Sequence, residues 1–202
     1  MDNVTRTKVV EEFAKELDYI KDENIRWITK CCLYEAPDYF FEIPASSTGK
    51  FHPNYALGPG GLVRHVKAAC KMLHDFITLE FFKCTDKEHD YCIAALILHD
   101  CRKSGIEHGK YTVHEHPILA ADLVRDTCDR LACENEEMGD DSTAEAIVNY
   151  HKNVPHLIES HMGEWNWSKR SSIRLPKPKT TMEFLVHLAD YLASRKYLEV
   201  KL

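Results

Sequence analysis

The chain has 202 residues, 44% hydrophobic and 29% charged, with a formal net charge of −6. That length and apolar share fit one globular domain with a sizeable core, and only eight prolines and eight glycines exclude a collagen-like or broadly disordered chain. No stretch approaches the roughly 20 apolar residues of a membrane helix, and the acidic balance argues against long duplex nucleic acid as a partner.

In chain order, the opening MDNVTRTKVVEEFAKELDYI lacks an apolar core before a small-residue cleavage site, so a cytoplasmic location is expected. Val9, Val10, Phe13, Leu17 and Ile20 recur at helical spacing, and Asn24 to Tyr34 reads as a second helix with Ile25, Ile28 and Cys32 on one face. Pro37 and Pro44 bracket an irregular stretch, and residues 46–61 read as a loop rich in turn residues. Leu62 to Lys83 is predicted helical, with Val66, Ala69, Leu73 and Phe76 inward. Tyr91 to His99 is an apolar run compatible with buried strand or helix; its alanines and the absence of β-rich neighbours favour helix. Pro117 opens a helix to Leu131. Glu134 to Asp141 reads as an acidic loop, and Ser142 as the cap of a helix to Tyr150. A short helix over His156 to His161, a basic loop from Trp165 to Lys179 and a last helix capped by Thr180 or Thr181 complete an all-α reading. Residues 1–50 form a helical extension packed on the core, and 51–202 the main domain. None of the eight cysteines forms CxxC, so reduced thiols are expected. The twelve histidines remain to be explained.

His99-Asp100 closes the apolar run in LILHDCRKSG. A lone HD dipeptide is more often a capping carboxylate beside a surface imidazole. Here, however, His65 and Asp190 also lie in apolar helical context, where an ionisable group needs a partner. Two imidazoles and two carboxylates from three helices suit a divalent ion: Mn, Fe, Ni, Co, Mg or Zn.

The order His65, His99-Asp100, Asp190 resembles the HD superfamily of metal-dependent phosphohydrolases. Gly60-Gly61-Leu62 before His65 is similar to that family's opening motif, and Leu98 to Lys103 resembles its L-H-D-x-G-K, with Arg102 where glycine is usual. His116 and His161 resemble histidines of the two-metal branch, with Met162 in place of a following histidine. The SHMGEW and LPKPKT segments are similar to stand-alone phage and bacterial HD proteins and to the HD domain of OB-fold-linked bacterial 3′–5′ exoribonucleases; the similarity spans Phe51 to Lys196. The first 50 residues are too short and too helical for an OB-fold.

The resemblance implies a helical bundle with one or two divalent ions held by His65, His99, Asp100, His116, His161 and Asp190. His151 is an alternative second-site ligand. Asp100 and Lys103 are the expected catalytic residues. Arg64, Lys103, Trp165 and Lys177 are the expected substrate contacts, one of Trp165 and Trp167 being core. His52 is a weaker candidate for the cleft wall, a plain surface role being its alternative, and His114, two residues before His116, is a candidate to support the ligands from behind. The expected reaction is hydrolysis of a phosphate ester in a nucleotide, cyclic nucleotide or short oligonucleotide; the alternative is a non-catalytic nucleotide sensor. Because ligand imidazoles must be neutral, activity is expected to fall below about pH 6. No membrane partner is expected, and a homo-oligomer is left open.

Overall fold

The computed structural model describes residues 1–50, 52–198 and 200; Phe51, Glu199 and the last two residues lie outside it. The described residues contain helices and turns and no strand. Nine α-helices follow in order: α1 (Asn3–Glu11), α2 (Ala14–Leu17), α3 (Glu23–Glu35), α4 (Asp38–Glu42), α5 (Gly61–Ile77), α6 (Asp86–Leu98), α7 (His116–Met138), α8 (Asp141–Glu159) and α9 (Thr181–Ala193). Among the described residues, no helix is long and apolar enough to cross a membrane.

Helix α6 is the axis of the bundle. Thr85 and Glu88 form a reciprocal capping box at its start, and Cys92 to Leu98 are all buried. It packs against α3, α5, α8 and α9, while α7 and α8 form the most extensive helix pair. The apolar run resolves as helix because every face of it meets another helix.

Residues from the first 45 share one hydrophobic cluster with the later helices, with Phe13, Phe40 and Phe41 in ring contact. The Thr29 and Tyr150 hydroxyls, 2.9 Å apart, tie α3 to α8. Asp22 caps α3 through the amides of Asn24 and Ile25.

Several boundaries differ from the sequence reading. The first helix breaks at Phe13, which leaves helical geometry and is fully buried against α4. The supposedly irregular stretch after Pro37 contains α4, whose Tyr39, Phe40 and Phe41 are buried. Helix α5 stops at Ile77 rather than Lys83, where the Thr78 hydroxyl donates to the Asp75 carbonyl. The acidic stretch from Glu134 to Met138 continues α7, because glutamate favours helix and the stop is Gly139 at φ +70°. Asp140, not Ser142, caps α8. That helix runs through Pro155 to Glu159, joining two expected helices; its packing on α7 offsets the roughly 3 kcal/mol a mid-helix proline costs. The last helix is capped by Thr180 and ends at Ala193. All eight cysteines are free thiols, five of them buried.

Candidate metal centre

Three helix ends and two helix interiors deliver the site. His65 lies just over one turn into α5, whose start is fixed by a backbone crossing. The Leu62 amide donates to the Ile43 carbonyl, and the Ala45 amide to the Ala56 carbonyl. A Cβ on Gly61 would lie 2.3 Å from the Ala56 carbonyl oxygen, so only glycine fits there. His99 is the C-cap of α6, and the chain then winds through turns, the Lys103 amide donating to the Asp100 carbonyl. His116 opens α7, His161 follows the end of α8, and Asp190 comes from α9.

These six side chains converge. His65 Nε2 lies 2.9 Å from Asp190 Oδ1, and His99 Nε2 is 3.4 Å from the same atom. Asp100 faces both sides of the cluster. Its Oδ2 is 3.5 Å from His99 Nε2 and 3.8 Å from His65 Nε2. Its Oδ1 is 3.1 Å from His116 Nε2 and 4.0 Å from His161 Nε2. Five of the six side chains are almost wholly buried; Asp190 keeps 19% exposure.

Three of the four imidazoles are oriented alike. His99, His116 and His161 each place Nδ1 within 2.6–2.7 Å of the carbonyl three residues earlier, on Leu96, Val113 and Ile158. A carbonyl accepts only, so Nδ1 carries the proton and Nε2 is turned inward, the orientation metal-ligating imidazoles adopt. His99 Nε2 is buried and makes no hydrogen bond, a costly state unless a cation fills the space in front of it. Three overlapping groups bring ligand atoms within 4.8 Å of one another: His65, His99, Asp100; His99, His161, Asp190; and Asp100, His116, His161. Mixed imidazole and carboxylate donors suit a divalent transition ion.

The electrostatics fit the same picture. Burial opposes charge on Asp100, yet Lys103 and His99 beside it hold the carboxyl well below its ordinary range. Burial likewise disfavours charge on Asp190, but the hydrogen bond from His65 and the nearby His99 imidazole hold it well below that range too. Burial also opposes charge on His99, but Asp100 and Asp190 outweigh it and push the imidazole up to about 10. His161, buried and beside His99, is held down at about 3. The two carboxylates thus call for positive charge beside them.

The centre lies in the floor of an open cavity of about 470 Å³. Its wall includes Ser46, Ser47, His52, Lys103, Thr112, Met162, Trp165, Tyr191 and Arg195. Lys103 donates to Asp100 Oδ2. Arg102, at the family's usual glycine, lines a separate surface pocket with Glu35 and Arg130 and leaves the centre clear.

Other sequence candidates are placed elsewhere. Arg64 donates to the carbonyls of Tyr55 and Leu57, anchoring the loop before α5, and does not line the cavity. Lys177 is exposed and pairs with Glu164 at 3.2 Å. Trp165 does line the cavity, but neither it nor Trp167 is core, both being about half exposed. His151 sits 3.8 Å from Asp129 and is outside all three ligand groups.

The structure places two further histidines at the site, the cleft-wall candidate His52 and, unmarked in the sequence reading, His187. His52 packs its ring edge-on against His65 and lines the cavity, with burial holding its pKa down at about 3. His187 lies 2.7 Å from the His161 carbonyl oxygen, and Gly163, at φ +52°, makes room for its ring. The loop position before α5 already marks His52 for the cleft; for His187 the HxxD spacing to Asp190 is the only trace.

Fold and centre together define an all-helical domain with a buried His/Asp cluster that can hold a divalent cation. A family model described as the HD domain matches residues 64–195, well over half of the chain, so the chain belongs to the HD-domain family. HD domains are in general metal-dependent phosphohydrolases. Comparisons with curated proteins and with solved structures returned no match.

Proposed function

We propose that the protein hydrolyses a phosphate ester in a nucleotide, cyclic nucleotide or short oligonucleotide. The observation that carries the reading is the convergence of three inward-turned Nε2 atoms and His65 on two deeply acidic carboxylates, with His99 Nε2 buried and unpartnered and Asp100, His116, His161 and Asp190 lining a cavity. His65, His99, Asp100, His116, His161 and Asp190 would hold one or two ions, Asp100 facing both groups. A bound divalent ion lowers the pKa of its water and neutralises phosphoryl oxygens.

The chain's own residues do the rest. The Nδ1 to carbonyl bonds fix imidazole orientation before any ligand arrives, so little reorganisation is needed. Lys103 sets a cation beside Asp100, where a phosphate oxygen would otherwise meet a carboxylate. Trp165 offers an exposed ring on the cavity wall for a base. A cavity of about 470 Å³ suits a small ligand rather than a duplex.

A second reading has its own observation. Met162, a poor ligand for a hard cation, lines the cavity beside His116 and His161. A centre filled on one side only would fit a module that binds a nucleotide without turning it over.

A panel of nucleotides, cyclic nucleotides, short oligonucleotides and bis(p-nitrophenyl) phosphate, each with Mn, Mg, Ni or Co, separates the two. Release of phosphate, nucleoside or nitrophenol that disappears in Asp100→Asn supports the enzyme. Nucleotide-dependent thermal stabilisation with no turnover under any metal supports the sensor.

A further inference from the structure

We propose that Arg195 binds a non-reacting anionic oxygen of the ligand, so that the cavity selects molecules carrying a second phosphate besides the one at the metal centre. This rests on the phosphate-ester reading of the centre and adds to it a specificity-determining residue and a narrower ligand class.

The other cations considered for substrate contact already have protein partners. Lys103 is on Asp100, Arg64 on two carbonyls and Lys177 on Glu164. Arg195 also lines the cavity, yet it makes no ion pair among the described residues, with Asp100 and Asp190 included. A positive charge in the wall of a cavity with two carboxylates in its floor is thus held away from both.

What holds it is an aromatic pile. Trp165 and Tyr191 stack with ring centroids 5.3 Å apart and planes within 13°. The Arg195 guanidinium lies 4.2 Å from the Tyr191 centroid and 5.9 Å from that of Trp165. One edge of the ion is also fixed: Nε donates to the Tyr191 carbonyl at 3.2 Å, and Nη2 to the Ser194 hydroxyl at 2.7 Å. Nη1 makes no hydrogen bond among the described residues, so its donors remain for a ligand.

A guanidinium fixed by face and edge has already lost most of its rotamer freedom, and its free N–H groups match the spacing of phosphate oxygens. Both supports are chained to the metal centre. Tyr191 follows Asp190 in α9, and Trp165 closes the short turn that begins after His161. The subsite therefore adjoins the cluster while remaining separate from it. An oxyanion at the cluster meets Lys103 there; Arg195 needs an oxyanion of its own.

The test is equilibrium dialysis of adenosine 3′,5′-bisphosphate and adenosine 5′-monophosphate against the full chain with Mn(II), counting intact nucleotide and product together so that turnover does not hide binding. The wild type is expected to hold the bisphosphate about tenfold more tightly, the worth of one charge-assisted contact. Arg195→Gln should erase that ratio and Arg195→Lys restore part of it. Trp165→Leu, which removes a support without removing the charge, should lower it by an intermediate factor. Equal affinities in the wild type, or a ratio unchanged in Arg195→Gln, would overturn the proposal. A preserved ratio in a protein that hydrolyses no phosphate ester would support Arg195 and sink the hydrolase reading instead; hydrolysis with no bisphosphate preference would do the opposite.

Discussion

Helix α6 carries an HD pair at each end, and the two do different work. His89-Asp90 sits about one turn into its start and His99-Asp100 just past its last residue. Both aspartates are buried, at 1% and 2% exposure. Asp90 is answered by backbone: Oδ2 accepts from the Lys21 amide at 3.0 Å and the Asp22 amide at 2.8 Å, while Oδ1 is 3.1 Å from His89 Nδ1. It pins the chain between α2 and α3 to α6. Among the described residues Asp100 has no backbone donor; four imidazoles and Lys103 surround it. A buried carboxylate met by fixed amides is closed to further ligands. One met by groups that can themselves bind a cation is an open site.

Breaking this contrast has its largest effect at Asp100. Asp100→Asn keeps the shape but removes the charge, and hydrolysis of bis(p-nitrophenyl) phosphate should fall more than about a hundredfold, beyond the 10–100-fold cost of losing a mere support for a ligand. Thermal stability measured without metal should change far less, because the cluster then loses a carboxylate that had to be compensated. At the other end, Asp90→Ala strands two amides and should cost about 2–3 kcal/mol in denaturant unfolding, with bound metal per chain unchanged.

Gly163→Ala sharpens the comparison at the rim of the centre. A Cβ there would stand 2.2 Å from the His187 ring, at a φ that side chains rarely adopt. We expect a loss of about 1–3 kcal/mol in stability together with weaker Mn(II) binding in calorimetry, since His187 braces the His161 backbone.

The smallest effect concerns the start of α9, the helix that brings Asp190. Burial pushes the Glu183 carboxyl up, but the Lys179 and Thr180 amides and nearby His156 hold it below its ordinary value overall. A carboxyl lowered in the folded state stabilises above its unfolded pKa, and that stability is lost as pH falls through the folded one. Glu183→Gln should therefore flatten the acid limb of the stability curve, read as Tm against pH between about 3 and 6. Thr180→Ala, which removes the other half of the capping box, should cost about 1 kcal/mol at any pH.

Much of the centre was legible in the sequence because its ligands are marked by contradiction. His65 and Asp190 are ionisable groups on apolar helix faces, and His99-Asp100 ends a wholly apolar run. The structure brings these four together with His116 and His161. The supporting contacts were not legible. The carbonyls of Leu96, Val113 and Ile158 belong to every sequence alike, and His187 meets His161 only through a glycine at positive φ. Cations near a ligand in sequence also misled: Arg64 adjoins His65, yet on a helix adjacent residues point about 100° apart, and its side chain serves the preceding loop. Arg195 showed no motif, because what distinguishes it is the lack of a carboxylate partner in space. The helix over Glu134 to Met138 departs from the loop that its charge density suggests, because glutamate sustains helix until a glycine stops it.

The account turns on Asp100 being the cation-binding member of two similar buried pairs. The direct measurement is Mn(II) binding and bis(p-nitrophenyl) phosphate hydrolysis in chelator-stripped Asp100→Asn and Asp90→Asn, side by side with the wild type. Asp100→Asn should lose both the bound ion and the activity, and Asp90→Asn should keep both. Hydrolysis and metal content that survive in Asp100→Asn, or that fall equally in the two variants, would contradict it.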